Sequence, residues 1–306
     1  MGHWRLAAGT GLIAALAFSW PVSISAQVRG PDLALTASQS RTDAEQVAPA
    51  PALELDPSRV EFSFGAYVGR PGGYIRIGEN GNRGSRLRLN DDLNIGASEA
   101  ADASVAFHFT PRDAVRATFL YYFLRGRGFI DRPSVSFNDE EFKVPGHVSI
   151  DADFYRIGLA YERTASMPGG FVTGSLGLTY VHLDPTLSGS GGHSSSEDFS
   201  RAALPVPIVG LRVDIPMGGG FAARASIGGG GLPRVNSGRK EGGSTVYLEQ
   251  IHGDATLALT YAITKNFVVE VGPRMTYFFQ HEKSSRDDNA FELVDFGLRG
   301  GLTLKF

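Results

Sequence analysis

The sequence predicts an all-β chain: a transmembrane antiparallel up-and-down β-barrel of about ten strands, led by an N-terminal signal peptide. Three observations carry this prediction. Ten segments alternate apolar and polar residues at the strand period of two. Their connections alternate between short and long. On the apolar face, aromatic residues form a belt at each end of the segments.

The N-terminus reads MGHWRLAAGTGLIAALAFSWPVSISAQ, with Arg5 as a positive start, an apolar run from Leu6 to Trp20 and a break at Pro21. The small residues of SISA then suit a signal peptidase cutting after Ala26, and the run is short for a membrane helix. We therefore expect residues 1–26 to be a signal peptide. Cleavage removes one arginine and no acid, so the formal charge goes from 29 − 32 = −3 to 28 − 32 = −4. That balance offers no basic field for nucleic acid. Residues 27–58, rich in alanine, proline and short polar residues, read as a flexible periplasmic lead. Cysteine is absent, which excludes a disulfide framework, a thiolate metal site and a lipidated cysteine anchor.

The barrel is expected over residues 59–306. VEFSFGAYV places Val60, Phe62, Phe64, Ala66 and Val68 on one face. The same alternation follows in ADASVAFHFT, VRATFLYYF, DFYRIGLAYE, FVTGSLGLTY, PIVGLRVDIP, FAARASI, GDATLALTYAI and FVVEVGPRMTYFF. The last segment, VDFGLRGGLTLKF, sets Phe296, Leu298, Leu302, Leu304 and Phe306 against Asp295, Arg299, Thr303 and Lys305. Pro205 and Pro207 fall near one rim, and Pro273, inside a strand, calls for a bulge because proline removes a ladder donor.

Hydrocarbon, rather than a second sheet, is expected to cover the apolar face. TPRD, TASMPGG, PMGGG and TKN are tight connections, whereas polar stretches at 70–101, 128–147, 185–200, 229–244 and 281–290 are long. Short turns on one side and long loops on the other are the habit of membrane barrels. Phe109, Tyr161, Phe221, Tyr261, Phe267 and Phe306 lie beside the short turns; Tyr121, Phe123, Tyr155, Tyr180, Tyr247, Tyr277 and Phe279 lie at the far ends. Such belts suit rings at a membrane boundary, and closure leaves no unpaired amide edge in lipid.

With the signal, the alternating strands, the tight turns and the terminal phenylalanine, the chain resembles Gram-negative outer-membrane β-barrel proteins over about residues 59–306. The resemblance implies a place in the bacterial outer membrane, with outer-membrane lipid and lipopolysaccharide as neighbours. It also implies that Leu302, Leu304 and Phe306 form an assembly signal for the barrel-assembly machinery, with periplasmic chaperones as partners in biogenesis. It is silent on activity. A monomer is expected.

Facing the apolar side outward assigns the lumen. Glu61, Asp102, Arg116, Arg156, Glu162, Arg212, Asp214, Arg224, Asp254, Glu270, Arg274, Asp295, Arg299 and Lys305 then point inward, with His108 and His252. In so narrow a barrel these groups should pair across the lumen, because an unpaired buried charge costs several kcal/mol. The expected function is a surface, structural or small-ligand-binding barrel with a charge-filled lumen and extended external hairpins. A narrow pore and a rim hydrolase of lipid or peptide are the competing readings.

For the hydrolase, three stretches matter: His193 to Asp198 in a Gly/Ser-rich loop, Asp151 with Asp153, and His182 with Asp184. Proteases of the omptin family use paired aspartates and an Asp–His pair at the rim, but these residues match no motif context of that family. His182 shares the lipid-facing parity of Leu178 and Tyr180. No catalytic residue, metal site or cofactor is therefore assigned; His252 and Asp254, with Gln250 beyond them, are read as network groups. YIRIGENGNRGSRLRLN and SVSFNDEEFKV read as hairpins standing above the membrane. Arg76, Arg83, Arg86 and Arg88 in the first are candidate contacts for lipopolysaccharide phosphates.

Overall fold

A computed structural model describes residues 58–131, 134–138, 140–143, 146–189, 194–196 and 203–306. The signal at 1–26, the lead at 27–58 except Ser58, and the residues His193, Glu197 and Asp198 lie outside these. The strands run β1 (Val60–Arg76), β2 (Leu87–Arg88), β3 (Ser98–His108), β4 (Asp113–Ile130), β5 (Ser134–Phe137), β6 (Glu140–Lys143) and β7 (Gly146–Met167). They continue with β8 (Gly170–Gly189), β9 (Ser194–Ser196), β10 (Val206–Gly218), β11 (Phe221–Glu241), β12 (Ser244–Thr264), β13 (Phe267–Lys283) and β14 (Asp288–Lys305).

Ten of these strands are the staves of a closed antiparallel barrel, each paired with its neighbours in chain order once the short β2, β5, β6 and β9 are set aside. The ring closes where β1 meets β14, from Glu61↔Lys305 to Arg76↔Ala290. Each segment read from the alternation is one stave. Alternation works here because successive side chains take opposite faces, and the two faces meet different surroundings. Phe64, Leu159, Leu176, Ile227 and Leu298 stand exposed outside, an apolar girdle that only lipid tails can cover at low cost.

The staves are longer than a membrane needs. β4 and β7 stay paired from Asp113↔Arg163 to Ile130↔Gly146, whereas roughly ten residues cross the hydrocarbon. Much of what the sequence presented as loop at 128–147, 185–200 and 229–244 is therefore strand, because a ladder once begun satisfies amides above the membrane as well as within it. Polar alternation in these extensions looks like loop composition.

Two expectations about backbone are corrected. Pro273 makes no bulge: Thr256↔Arg274 and Leu259↔Val271 keep one register across it, and only the rungs between are missing. Gly272 absorbs the defect, since a Cβ there would lie 1.9 Å from the Leu257 carbonyl oxygen. The first external segment is not a free-standing hairpin either. β1 and β2 share only Tyr74↔Arg88 and Ile75↔Leu87, and the chain from 77 to 97 then turns into the barrel mouth. Its backbone passes against the inner wall of β4, where a Cβ on Gly128 would fall 1.9 Å from the Asp92 carbonyl oxygen and one on Gly126 would fall 2.3 Å from that of Leu93. The cause is hydrophobic: Ile77, Leu87, Leu89, Leu93 and Ile95 are buried together with the inward Tyr122, Leu124, Phe154, Phe278 and Phe291. The second hairpin, β5–β6, forms as read, with Asn138 at φ 52°.

Hydrogen bonds knit this inturned segment to the hairpins around it. The Asn138 amide donates to the Ile77 carbonyl and the Ser85 amide to that of Ser136. The Asp288 amide donates to the Gly78 carbonyl, and Gly78 returns one to Asn289 Oδ1.

Candidate functional site

The lumen holds two layers of opposite character. The half nearer the short turns carries the charges; the half nearer the long hairpins carries the apolar cluster just described. Tyr67, His252 and Thr276, all buried, border the charges, while Gln250 and Gln280 are bonded at 2.8 Å beyond Phe278, level with Phe291.

The charges form one unbroken alternating chain. Glu61 accepts from Arg116 Nη2 at 3.3 Å, with His108 Nε2 at 3.2 Å; Arg116 Nε donates to Glu162 at 2.8 Å. Arg212 lies 3.7 Å from Glu162 and donates to Asp214 at 3.2 Å. Arg224 donates to Asp214 at 2.6 Å and to Glu270 at 2.9 Å. Arg299 pairs with Glu270 and grips Asp102 with two donors, at 2.8 and 2.6 Å. Arg274 bridges Asp102 at 3.5 Å and Asp254 at 3.2 Å, and Arg156 ends the chain on Asp254 at 2.8 Å. Six arginines thus meet six carboxylates, 6 − 6 = 0. The positions come from nine of the ten staves, β8 being the exception, so the chain ties the wall across the lumen.

A cavity of about 390 Å³ opens among these groups, lined by Arg116, Arg224, Arg274, Arg299, Glu270 and hydroxyls such as Ser104 and Thr256. It has room for about a dozen waters at roughly 30 Å³ each. Asp295 stands apart from the chain: it is fully buried and accepts from Ser98 Oγ at 2.6 Å. His252 packs edge-on to Phe278, ring centres 5.0 Å apart, and neither of its ring nitrogens has a hydrogen-bond partner among the described residues. Among the described residues no group of three or more His, Asp or Glu side chains is placed to hold a metal.

The rim residues face outward, away from the cavity. Tyr121 donates to Asp153, Arg125 Nε reaches Asp151 at 3.2 Å, and the His182 ring stacks on Tyr155 with centres 4.5 Å apart. β7 and β8 set Asp153 opposite Asp184 and Tyr155 opposite His182.

The four arginines of the first external segment are placed differently from one another. Arg76 is engaged by Asp288 at 2.6 Å, Arg86 lies over the Tyr74 ring at 3.6 Å, Arg88 pairs with Asp91 at 3.1 Å, and Arg83 is exposed. Asp288 also accepts from His281 and Lys283, at 3.0 and 2.7 Å. Burial would raise this carboxyl, but the hydrogen bonds from Lys283 and His281 and the charge of Arg76 prevail and lower its pKa to about 2. At the other end, Phe306 is exposed and edge-on to Phe62 at 6.2 Å, with Leu302 and Leu304 on the same outer face.

Sequence reading missed the inturned segment. Its signal was present: Ile75, Ile77, Leu87, Leu89, Leu93 and Ile95 are too apolar for a hairpin standing in water.

No known protein family matches the chain, and no curated protein does. Solved structures with a similar course include the outer membrane protease OmpT of Escherichia coli, 12% identical, covering 84% of this chain and 99% of that one at a TM-score of 0.48. The transport unit of the autotransporter AIDA-I of Escherichia coli is 7% identical, covering 88% and 93% at 0.40. The toluene transporter TodX of P. putida is 8% identical, covering 82% and 91% at 0.31. All three are barrels of the Gram-negative outer membrane.

Proposed function

We propose that this chain is an outer-membrane barrel with a closed lumen, working through its external surface as a structural or ligand-binding protein and not as a conduit. The observation that carries this reading is the filled mouth: Ile77, Leu89, Leu93 and Ile95 pack against Tyr122, Phe154, Phe278 and Phe291 across the lumen. Below that seal the charges neutralise one another in a chain, unlike a ring of one sign that would select ions. The signal peptide and its cleavage, the lead, and the monomeric state belong to the same proposal. So does recognition of Leu302, Leu304 and Phe306 by the assembly machinery. Arg83, Arg86 and Arg88, external and exposed, are the proposed contacts for lipopolysaccharide phosphates, with Arg76 held by Asp288.

The test is planar-bilayer recording of the purified barrel. We expect no steady conductance from the native chain and stepwise conductance after deletion of residues 79–96. A steady open level from the native chain would replace this reading with the pore.

A further inference from the structure

We infer that the outer wall of β4, β7 and β8 above the membrane is a saccharide-binding face, and that its occupant is the oligosaccharide of a glycolipid anchored in the surrounding leaflet. The inference rests on the outer-membrane reading. Register places the outward side chains in rungs. Tyr121, Tyr155 and His182 form the aromatic belt; Phe123 joins Asp153 and Asp184 above it. The next rungs are polar, Arg125 with Asp151 and Thr186, then Arg127 with Ser149 and Ser188; Phe129 and His147 close the ladder.

Phe129 needs an explanation. It is 58% exposed and turns its edge to His147, ring centres 5.4 Å apart. It lies six residues past Phe123, roughly 20 Å farther along the strand at about 3.4 Å per residue. Lipid tails do not reach that height, so its apolar face meets water unless something covers it. Between the two phenylalanines the wall holds a trough of about 450 Å³ lined by Arg125, Arg127, Ser149, Asp151, Thr186 and Ser188.

This is the chemistry that sugars require. Ring C–H faces stack on an aromatic side chain, and vicinal hydroxyls bond to planar arginine and carboxylate groups and to serine and threonine hydroxyls. Arg125 and Asp151 are 3.2 Å apart and both well exposed, so they present a donor fork beside an acceptor. Arg127 makes no ion pair among the described residues, leaving a cation for a phosphate or acidic sugar. The trough begins at the membrane surface and runs away from it along the strands. A saccharide rising from the same leaflet would follow that path, whereas one arriving from outside would have no reason to meet the belt.

The test uses the full chain refolded in detergent, with deacylated lipopolysaccharide as probe, by calorimetry and saturation-transfer NMR. We expect saturable binding, weakened at least tenfold by Phe129→Ala and by Arg127→Ala. Phe129→Tyr and Arg163→Ala, the latter at the opposite end of the barrel, should keep it. Heat-dependent gel mobility verifies that each variant is folded. Absent binding, or equal binding by all variants, overturns the site. Heparin oligosaccharides binding this face more tightly than the probe overturn the membrane-anchored source. A conducting barrel that still binds saccharide would sink only the closed-lumen reading.

Discussion

Replacing Arg299 with methionine removes a cation that bonds two lumen carboxylates while keeping an unbranched apolar stem. Arg299 bonds Asp102 at 2.6 and 2.8 Å and also meets Glu270; its side chain is 13% exposed, against 18% and 11% for the two acids. Stranding one partner of a buried pair costs about 3–5 kcal/mol. Asp102 keeps Arg274 at 3.5 Å and Glu270 keeps Arg224 at 2.9 Å, so the loss should sit at the lower end, about 3 kcal/mol. The double variant Arg299→Met, Asp102→Asn should recover most of it, because five arginines then face five carboxylates, with Arg274 still on Asp254 and Glu270 still on Arg224. Residues 59–306 contain no tryptophan, so urea unfolding in lipid vesicles is best followed by gel mobility and far-ultraviolet circular dichroism. A loss under about 1 kcal/mol for the single variant, or a double variant worse than the single, would refute the view that pairing holds these charges in place.

Three further outcomes follow from particular contacts. Gly128→Val thrusts methyl groups at the Asp92 carbonyl, 1.9 Å from the Cβ position, and should displace the inturned segment; single-channel recordings should then show openings that the native barrel lacks. Phe306→Ala should lower the amount of barrel reaching the outer membrane several-fold in cells, yet leave refolding in detergent unchanged, since the ring is exposed and meets Phe62 edge-on. For Asp288, whose folded pKa of about 2 lies below its ordinary 3.8, the stabilisation is present above pH 4 and lost as pH falls through 2. Hydrogen exchange at Gly78 and Asp288 should therefore accelerate over that window, by an amount on the order of 1 kcal/mol given the exposure of the cluster. Asp288→Asn should remove the dependence.

Ten staves, their order and their inner and outer faces were legible in the sequence, because alternation is a local property and lipid outside against charge inside makes it strong. Arg116, Arg274 and Arg299 could be assigned to the lumen from parity alone. Who pairs with whom could not: Arg299 and Asp102 are 197 residues apart, and only closure of the ring brings them together. The inturned segment shows the same divide. Its apolar residues are plain in the sequence, but whether Leu89 and Leu93 stand in water or fill the mouth depends on the space left by Tyr122, Phe154 and Phe278 on other strands. Periodicity reports which solvent each face meets; the contents of an enclosed volume are settled by all the walls at once.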